Sequence, residues 1–228
     1  FDLHRVLDTL NLEAPMILGH SLGGQLAIRL AAMFPTRVKS LVAVEALGPP
    51  FPSQSTDTTE TMQAEGRRLL ATFSAHDRTL ASREDAASRL RANNPRLDDA
   101  RSLWLATLLT EDGDDGQLRW AFDTRVRGIF IGPEDAYRYW PHVQCPTLLM
   151  FGEHSHEYWS SVLPSTDGKF SDGELEGRIS AFPHARSITL EASGHMAHLD
   201  EPDRIASEAY AFFETNGYSK SLETYAHE

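Results

Sequence analysis

The stretch Met16-Ile17-Leu18-Gly19-His20-Ser21-Leu22-Gly23-Gly24 limits the possible folds of this chain more than any other. Met16 to Gly19 is a short apolar run after Pro15, long enough for a buried strand. Leu22 to Phe34 reads as a helix: Leu26, Leu30 and Met33 share a face, and Pro35 stops it. Val38 to Val44, rich in β-branched residues and ending at Glu45, reads as a second strand. Strand, helix and strand within so few residues imply a parallel pair with a right-handed crossover. The turn at Ser21 is so tight that small residues are expected two places before it and two after, at Gly19 and Gly23.

The same α/β grammar returns near the C-terminus. Pro146 to Phe151 and Arg186 to Leu190 read as strands, Gly173 to Phe182 and Pro202 to Glu214 as helices. Leu3, Val6, Leu7 and Leu10 give an amphipathic helix over residues 1 to 11. Between these blocks, Gly48-Pro49-Pro50-Phe51-Pro52 breaks regular structure, and Ser53 to Thr61 is polar and loop-like. From there to about Pro141 only helices are predicted: Thr61 to Ser74, Arg83 to Asn93, Leu97 to Thr110, and Pro133 to Trp140. Glu111 to Gly116 is an acidic turn that lacks the register of a calcium loop. The expected fold is α/β: a parallel sheet flanked by helices, built from residues 1–47 and 142–228, with an inserted helical cap over 48–141.

Composition excludes several classes of function. With 21 basic and 33 acidic residues the formal net charge is −12, which repels nucleic-acid phosphates and anionic lipid. No apolar run approaches the roughly 18 residues that span a bilayer. The single cysteine, Cys145, leads into a strand and is expected to be packed and unreactive. A cytoplasmic protein acting on a small molecule, without nucleic acid, membrane or cofactor, is the expectation.

Chemistry concentrates at two places. A serine between a strand and a helix would stand above the strand ends, at a helix N-terminus that favours a developing oxyanion, with the backbone N–H of Leu22 as the expected donor. Serine needs a base, and Gly194-His195 follows the last strand, where its loop would reach the same sheet edge. The third member, an acid, is open among Glu45, Glu153 and Glu157; Glu45 is favoured because it ends the strand beside the serine strand. His154-x-His156 with His195 and His198 could supply zinc ligands, but no spacing supports a metal site and it would leave the serine turn unexplained. His20, Trp104, Trp120, Phe130 and Trp140 are candidates to line a substrate pocket between cap and core.

Gly19-His-Ser-Leu-Gly-Gly24, Met-Phe-Pro35-Thr-Arg-Val38, Cys145-Pro-Thr-Leu-Leu149 and Gly194-His195 stand in the order found in the α/β-hydrolase superfamily, which the chain resembles over nearly its whole length. The segment Asp115 to Asp123 is similar to a cap stretch of its capped, serine-hydrolase-like esterases. The resemblance implies a Ser21–His195–acid triad that hydrolyses a carboxylic ester. It also implies that Ser155 stands where the family's usual acid would be, whereas some haloalkane dehalogenases carry their acid, as Glu45 is here, after the strand next to the nucleophile. A carbon–carbon bond hydrolase and a non-catalytic ligand binder are the other readings. The family has further strands and an oxyanion loop ahead of the serine turn, so missing N-terminal strands or a partner chain are expected beside it.

Overall fold

The computed structural model describes residues 2–51, 62–63, 66–67, 70–71, 79–123, 133–162 and 167–218. Six strands occur among them: β1 (Met16–His20), β2 (Ser40–Val44), β3 (Thr110–Asp112), β4 (Leu118–Trp120), β5 (Thr147–Gly152) and β6 (Ala185–Leu190). Four of these form one parallel sheet in the order β1-β2-β5-β6. Its register is continuous: Leu18 faces Val42, Val42 faces Leu148, and Leu148 faces Arg186.

Side-chain alternation along β2 explains why helices cover both faces. Leu41 and Ala43 point to one side and join Leu7 of α1 (Asp2–Thr9) and Ala27, Ile28 and Ala31 of α2 (Leu22–Met33). Val42 and Val44 point to the other and join Leu148 and Met150. On that side Ile205, Ala209 and Phe212 come from the C-terminal helix Pro202–Thr215. All five residues of β2 and all six of β5 are buried, and apart from Ser40 and Thr147 at their starts neither strand carries a polar side chain. On the outer side of β1 no strand pairs with it among the described residues, and Leu18 is 46% exposed.

The segment between β2 and β5 carries α3 (Arg83–Asn93) and α4 (Asp99–Leu109), as predicted to within two residues. Ser82 and Asp98 cap them, accepting from the backbone N–H of Asp85 and Arg101. The all-helical expectation for this segment is corrected, because β3 and β4 form an antiparallel hairpin around the acidic turn. Three-residue strands are too short for a period to show in sequence. The segment continues through α5 (Pro133–Ala136) and a 3₁₀ turn at Trp140–His142. Residues of the helix predicted over 61–74 lie largely outside the described set, as does Phe130.

After β5 come α6 (His156–Val162), α7 (Glu174–Ser180), α8 (Ala197–Asp200) and α9 (Pro202–Thr215). Neither α6 nor α8 was foreseen in the sequence. Cys145 is buried, and that burial pushes its thiol up from the usual value, as a packed and unreactive side chain requires.

Candidate active site

The ends of β1, β2 and β5 meet at one place, and backbone hydrogen bonds hold them there. Ser21, one residue past β1, still donates its N–H to Val44 O at 2.8 Å. Glu45, one residue past β2, donates its N–H to Met150 O at 2.9 Å. Both depart from ordinary backbone, with φ of 48° at Ser21 and 53° at Glu45. Each such conformation at a non-glycine residue costs on the order of 1–3 kcal/mol and survives only where its surroundings enforce it.

Close approach explains the glycines of the turn. A Cβ on Gly19 would lie 2.8 Å from Gly23 O and from the Gly24 backbone, and one on Gly24 would lie 2.5 Å from the Ala46 Cβ. Gly23 meets nothing within 4 Å, so the second obligatory small position in this structure is Gly24 rather than Gly23.

Three side chains form one hydrogen-bonded line. His195, in the loop after β6, has Nε2 at 3.0 Å from Ser21 Oγ and Nδ1 at 3.1 Å from Glu45 Oε2. His195 is 4% exposed and Glu45 5%. A carboxylate only accepts, so the imidazole hydrogen lies on Nδ1 and Nε2 turns its lone pair toward the serine hydroxyl. The other carboxylate oxygen, Glu45 Oε1, accepts from Gly152 N–H at 2.6 Å and from the Ser155 hydroxyl at 2.7 Å. Gly152 has no room for a side chain, since a Cβ would lie 2.5 Å from the carbonyl oxygens of Ser193 and Gly194. Such a line can strip the hydroxyl of its proton as the oxygen attacks an electrophilic carbon.

Of the three acids considered in the sequence, Glu45 alone hydrogen-bonds His195 among the described residues. Glu157 pairs with Arg96 at 2.8 Å, and Glu153 is exposed, its N–H donating to Leu190 O at 3.0 Å.

Around the histidine stand groups that sequence reasoning missed. The Tyr158 ring stacks on the imidazole at 4.1 Å, nearly parallel to it, and Trp159 meets it edge-on at 4.9 Å. Asp200 accepts from Gly194 N–H at 2.8 Å, and Glu201 accepts from the Ser193 hydroxyl at 2.6 Å, bracing the loop on both sides. No spacing in the sequence marked these residues. Ser155 alone left a signal, by standing where an acid was expected.

The pocket candidates separate once placed. His20 Nε2 lies 2.7 Å from His195 O, so it carries the hydrogen and ties the serine turn to the histidine loop. Burial lowers its pKa to about 3, the neighbouring His198 adding to the effect. His198, its ring 4.3 Å from that of His20, is lowered by burial too, against the charge of Asp200. Trp140 is a core residue, 1% exposed and packed against Tyr137 and Phe182, because it sits beneath the sheet with α2. Trp120 packs on Phe122 and the small cluster of Leu80, Ala86, Ala87 and Ala106, and Trp104 is 59% exposed on α4. None of these three tryptophans reaches the serine.

A cavity of about 420 Å³ does adjoin the site, lined by Glu45, Leu47, Ser155, Trp159 and Phe170, on the acid's side rather than the serine's. His154 and His156 lie 6.3 Å apart ring to ring, and no metal-holding group of three or more His, Cys, Asp or Glu occurs among the described residues. Among those residues no helix is long and apolar enough to cross a membrane.

A parallel sheet covered on both faces, with a strained serine turn at its strand ends, is the architecture of the α/β-hydrolase fold. Residues 2–202 match the family described as the alpha/beta hydrolase fold, and the chain belongs to that family. It is similar to a serine hydrolase-like protein of Danio rerio, 24% identical over 213 residues, which are 90% of this chain and 62% of that protein. It is also similar to a 2-hydroxymuconate semialdehyde hydrolase of Pseudomonas putida, 41% identical over 92 residues, 39% of this chain and 32% of that protein. Among solved structures an esterase of Mycobacterium tuberculosis superposes with a TM-score of 0.69 at 22% identity, over 93% of this chain and 67% of that one. The chain thus spans less than two thirds of the length of either of the two curated relatives.

Proposed function

We propose that this α/β hydrolase is a serine esterase that transfers the acyl group of a carboxylic ester to water through Ser21. The observation that carries the reading is the unbroken hydrogen-bonded line from Ser21 through His195 to Glu45. His195 Nε2 takes the Ser21 proton as Oγ attacks the ester carbonyl, and Glu45 balances the charge on the imidazolium and keeps its orientation. The N–H of Leu22, at the first position of α2 where no intrahelical partner exists, supports the oxyanion. The imidazolium then protonates the departing alcohol, and water repeats the attack on the acyl-enzyme with His195 again as base. Residues 48–141 act as a cap: Arg96 reaches Glu157, and Arg101 bonds Leu199 O beside the histidine loop.

The experiment is a pre-steady-state assay of the intact protein with an activated aryl ester, joined to labelling by a fluorophosphonate. A burst of alcohol equal to the enzyme concentration, and a label mapped to Ser21, are expected. Absence of both would leave a non-catalytic ligand binder.

The stretch shared with the Pseudomonas putida hydrolase supports a second reading, cleavage of a carbon–carbon bond in a dienone-type substrate by the same serine and histidine. Turnover of such a ketone above that of any short aryl ester would favour it.

A further inference from the structure

We propose that Ser155 is a positioning residue that locks the Glu45 carboxylate, leaving Oε2 alone to face His195. The inference rests on the reading of Ser21, His195 and Glu45 given above. A carboxylate can turn about its last bond and exchange its two oxygens, and only the oxygen facing Nδ1 can orient the imidazole. Here Oε1 is taken by two donors, Gly152 N–H at 2.6 Å and Ser155 Oγ at 2.7 Å, while Oε2 meets Nδ1 at 3.1 Å. Gly152 N–H is fixed by the strand, so among the described residues Ser155 is the side chain that supplies this hold.

The hydroxyl is itself well placed. Ser155 is buried, its N–H donates to Gly152 O at 3.2 Å, and its carbonyl accepts from Trp159 N–H at 3.3 Å. Gly152 O also lies 2.9 Å from Oγ, but the one hydroxyl hydrogen goes preferentially to the charged oxygen. Glu45 also stands in a strained backbone conformation, φ 53°, of the kind that persists only where surrounding contacts enforce it. A buried carboxylate oxygen without donors is unfavourable, and here two donors meet one oxygen. The residue in the place of the family's usual acid therefore serves the acid that replaces it.

The test compares Ser155→Ala, Ser155→Cys, Glu45→Gln and the Glu45→Gln/Ser155→Ala double variant, each normalised to fluorophosphonate-reactive sites. Cysteine keeps the buried volume and weakens the donor, which guards against a simple packing defect. Both Ser155 variants are expected to lose about 10- to 100-fold in kcat with KM nearly unchanged, as for a lost hydrogen bond to a charged group. The lost donor lies on the carboxylate that meets Nδ1, so the acid limb of kcat/KM should move in both Ser155 variants. Once Glu45 is Gln, Ser155→Ala should add less than about 3-fold, because its partner is gone. Unchanged kcat, an unmoved acid limb, or a full additive loss in the double variant would overturn the role of Ser155. Full activity in Glu45→Gln would instead remove the acid assignment on which it rests.

Discussion

Every residue of β2 is buried, whereas among the described residues the fully buried cluster around α3 and α4 is Leu80 with three alanines, Ala86, Ala87 and Ala106, and the larger Leu90, Leu118 and Trp120 only partly cover it. A fully buried Val or Leu contributes roughly 1.5–3 kcal/mol, and alanine much less, so among the described residues the sheet is packed more heavily than α3 and α4 are. The insertion leans instead on polar ties such as Arg89–Asp85, Arg119–Asp115 and Arg96–Glu157. The sheet also carries the buried backbone bonds that fix Ser21 and Glu45, while the insertion reaches the site through a few long side chains. Precision and adaptability are thus assigned to different parts of the molecule. Substitutions at the strand ends should abolish chemistry without unfolding the protein, and those in the insertion should do little to either.

Replacement of Ser21 is the most severe test of that contrast. Ser21→Ala should lower kcat by about 10⁴ to 10⁶ and leave the melting temperature close to that of the parent. A variant retaining a tenth of the parent's turnover of an activated aryl ester would remove Ser21 from the proposed mechanism. Glu45→Gln comes next, with a loss of up to about 10⁴ in kcat, since Gln keeps the shape but not the charge. Steady-state kinetics of Glu45→Gln beside Glu153→Gln and Glu157→Gln would show whether the loss is confined to the residue that meets His195.

A smaller effect is expected from His20, and it should be seen in stability. Burial holds the folded His20 neutral down to about pH 3, while the unfolded chain takes up its proton near pH 6.5. The unfolded state therefore binds more protons between those values, and stability present above pH 6.5 should fall as the pH drops toward 3, by on the order of a few kcal/mol. In His20→Gln, which keeps a donor toward His195 O, thermal unfolding should depend less steeply on pH over that window. An equal slope would mean that His20 is not protected from protonation. The smallest change belongs to the insertion: Arg96→Ala removes a half-exposed ion pair with Glu157 and should shift stability by no more than about 1 kcal/mol. A larger loss in urea unfolding would show the insertion to be as firmly bound as the sheet.

Much of the sheet was legible because its strands are short apolar runs bounded by Pro, Gly or a charged residue, as at Pro146 and Glu45. Ser21, His195 and Glu45 were legible for a related reason: each lies directly at, or in the loop after, the end of such a strand. The hairpin of β3 and β4 was not, since Thr110-Glu111-Asp112 has neither alternation nor β-rich composition. Trp140 and His20 show another limit. An aromatic or imidazole ring reads the same in sequence whether it faces substrate, core or a backbone carbonyl, and only the packing of α2 and the His195 loop assigns them. Ser155 was legible as a missing acid but not as a donor, because its partner lies 110 residues away in the chain.

That Glu45 ends the strand next to the serine strand also bears on the order in which the site is assembled. Serine and acid are about 24 residues apart, at the two strand ends of the single unit β1–α2–β2, whereas His195 lies 174 residues from Ser21 and 150 from Glu45. Closing a loop some seven times longer costs about 2 kcal/mol more entropy, on the logarithmic dependence of closure on length. Two of the three groups can find their geometry from local contacts early in folding, and the base must wait until the rest of the sheet is laid down. Reactivity of Ser21 is then a reporter of completed folding rather than of compactness, and during refolding it should return last.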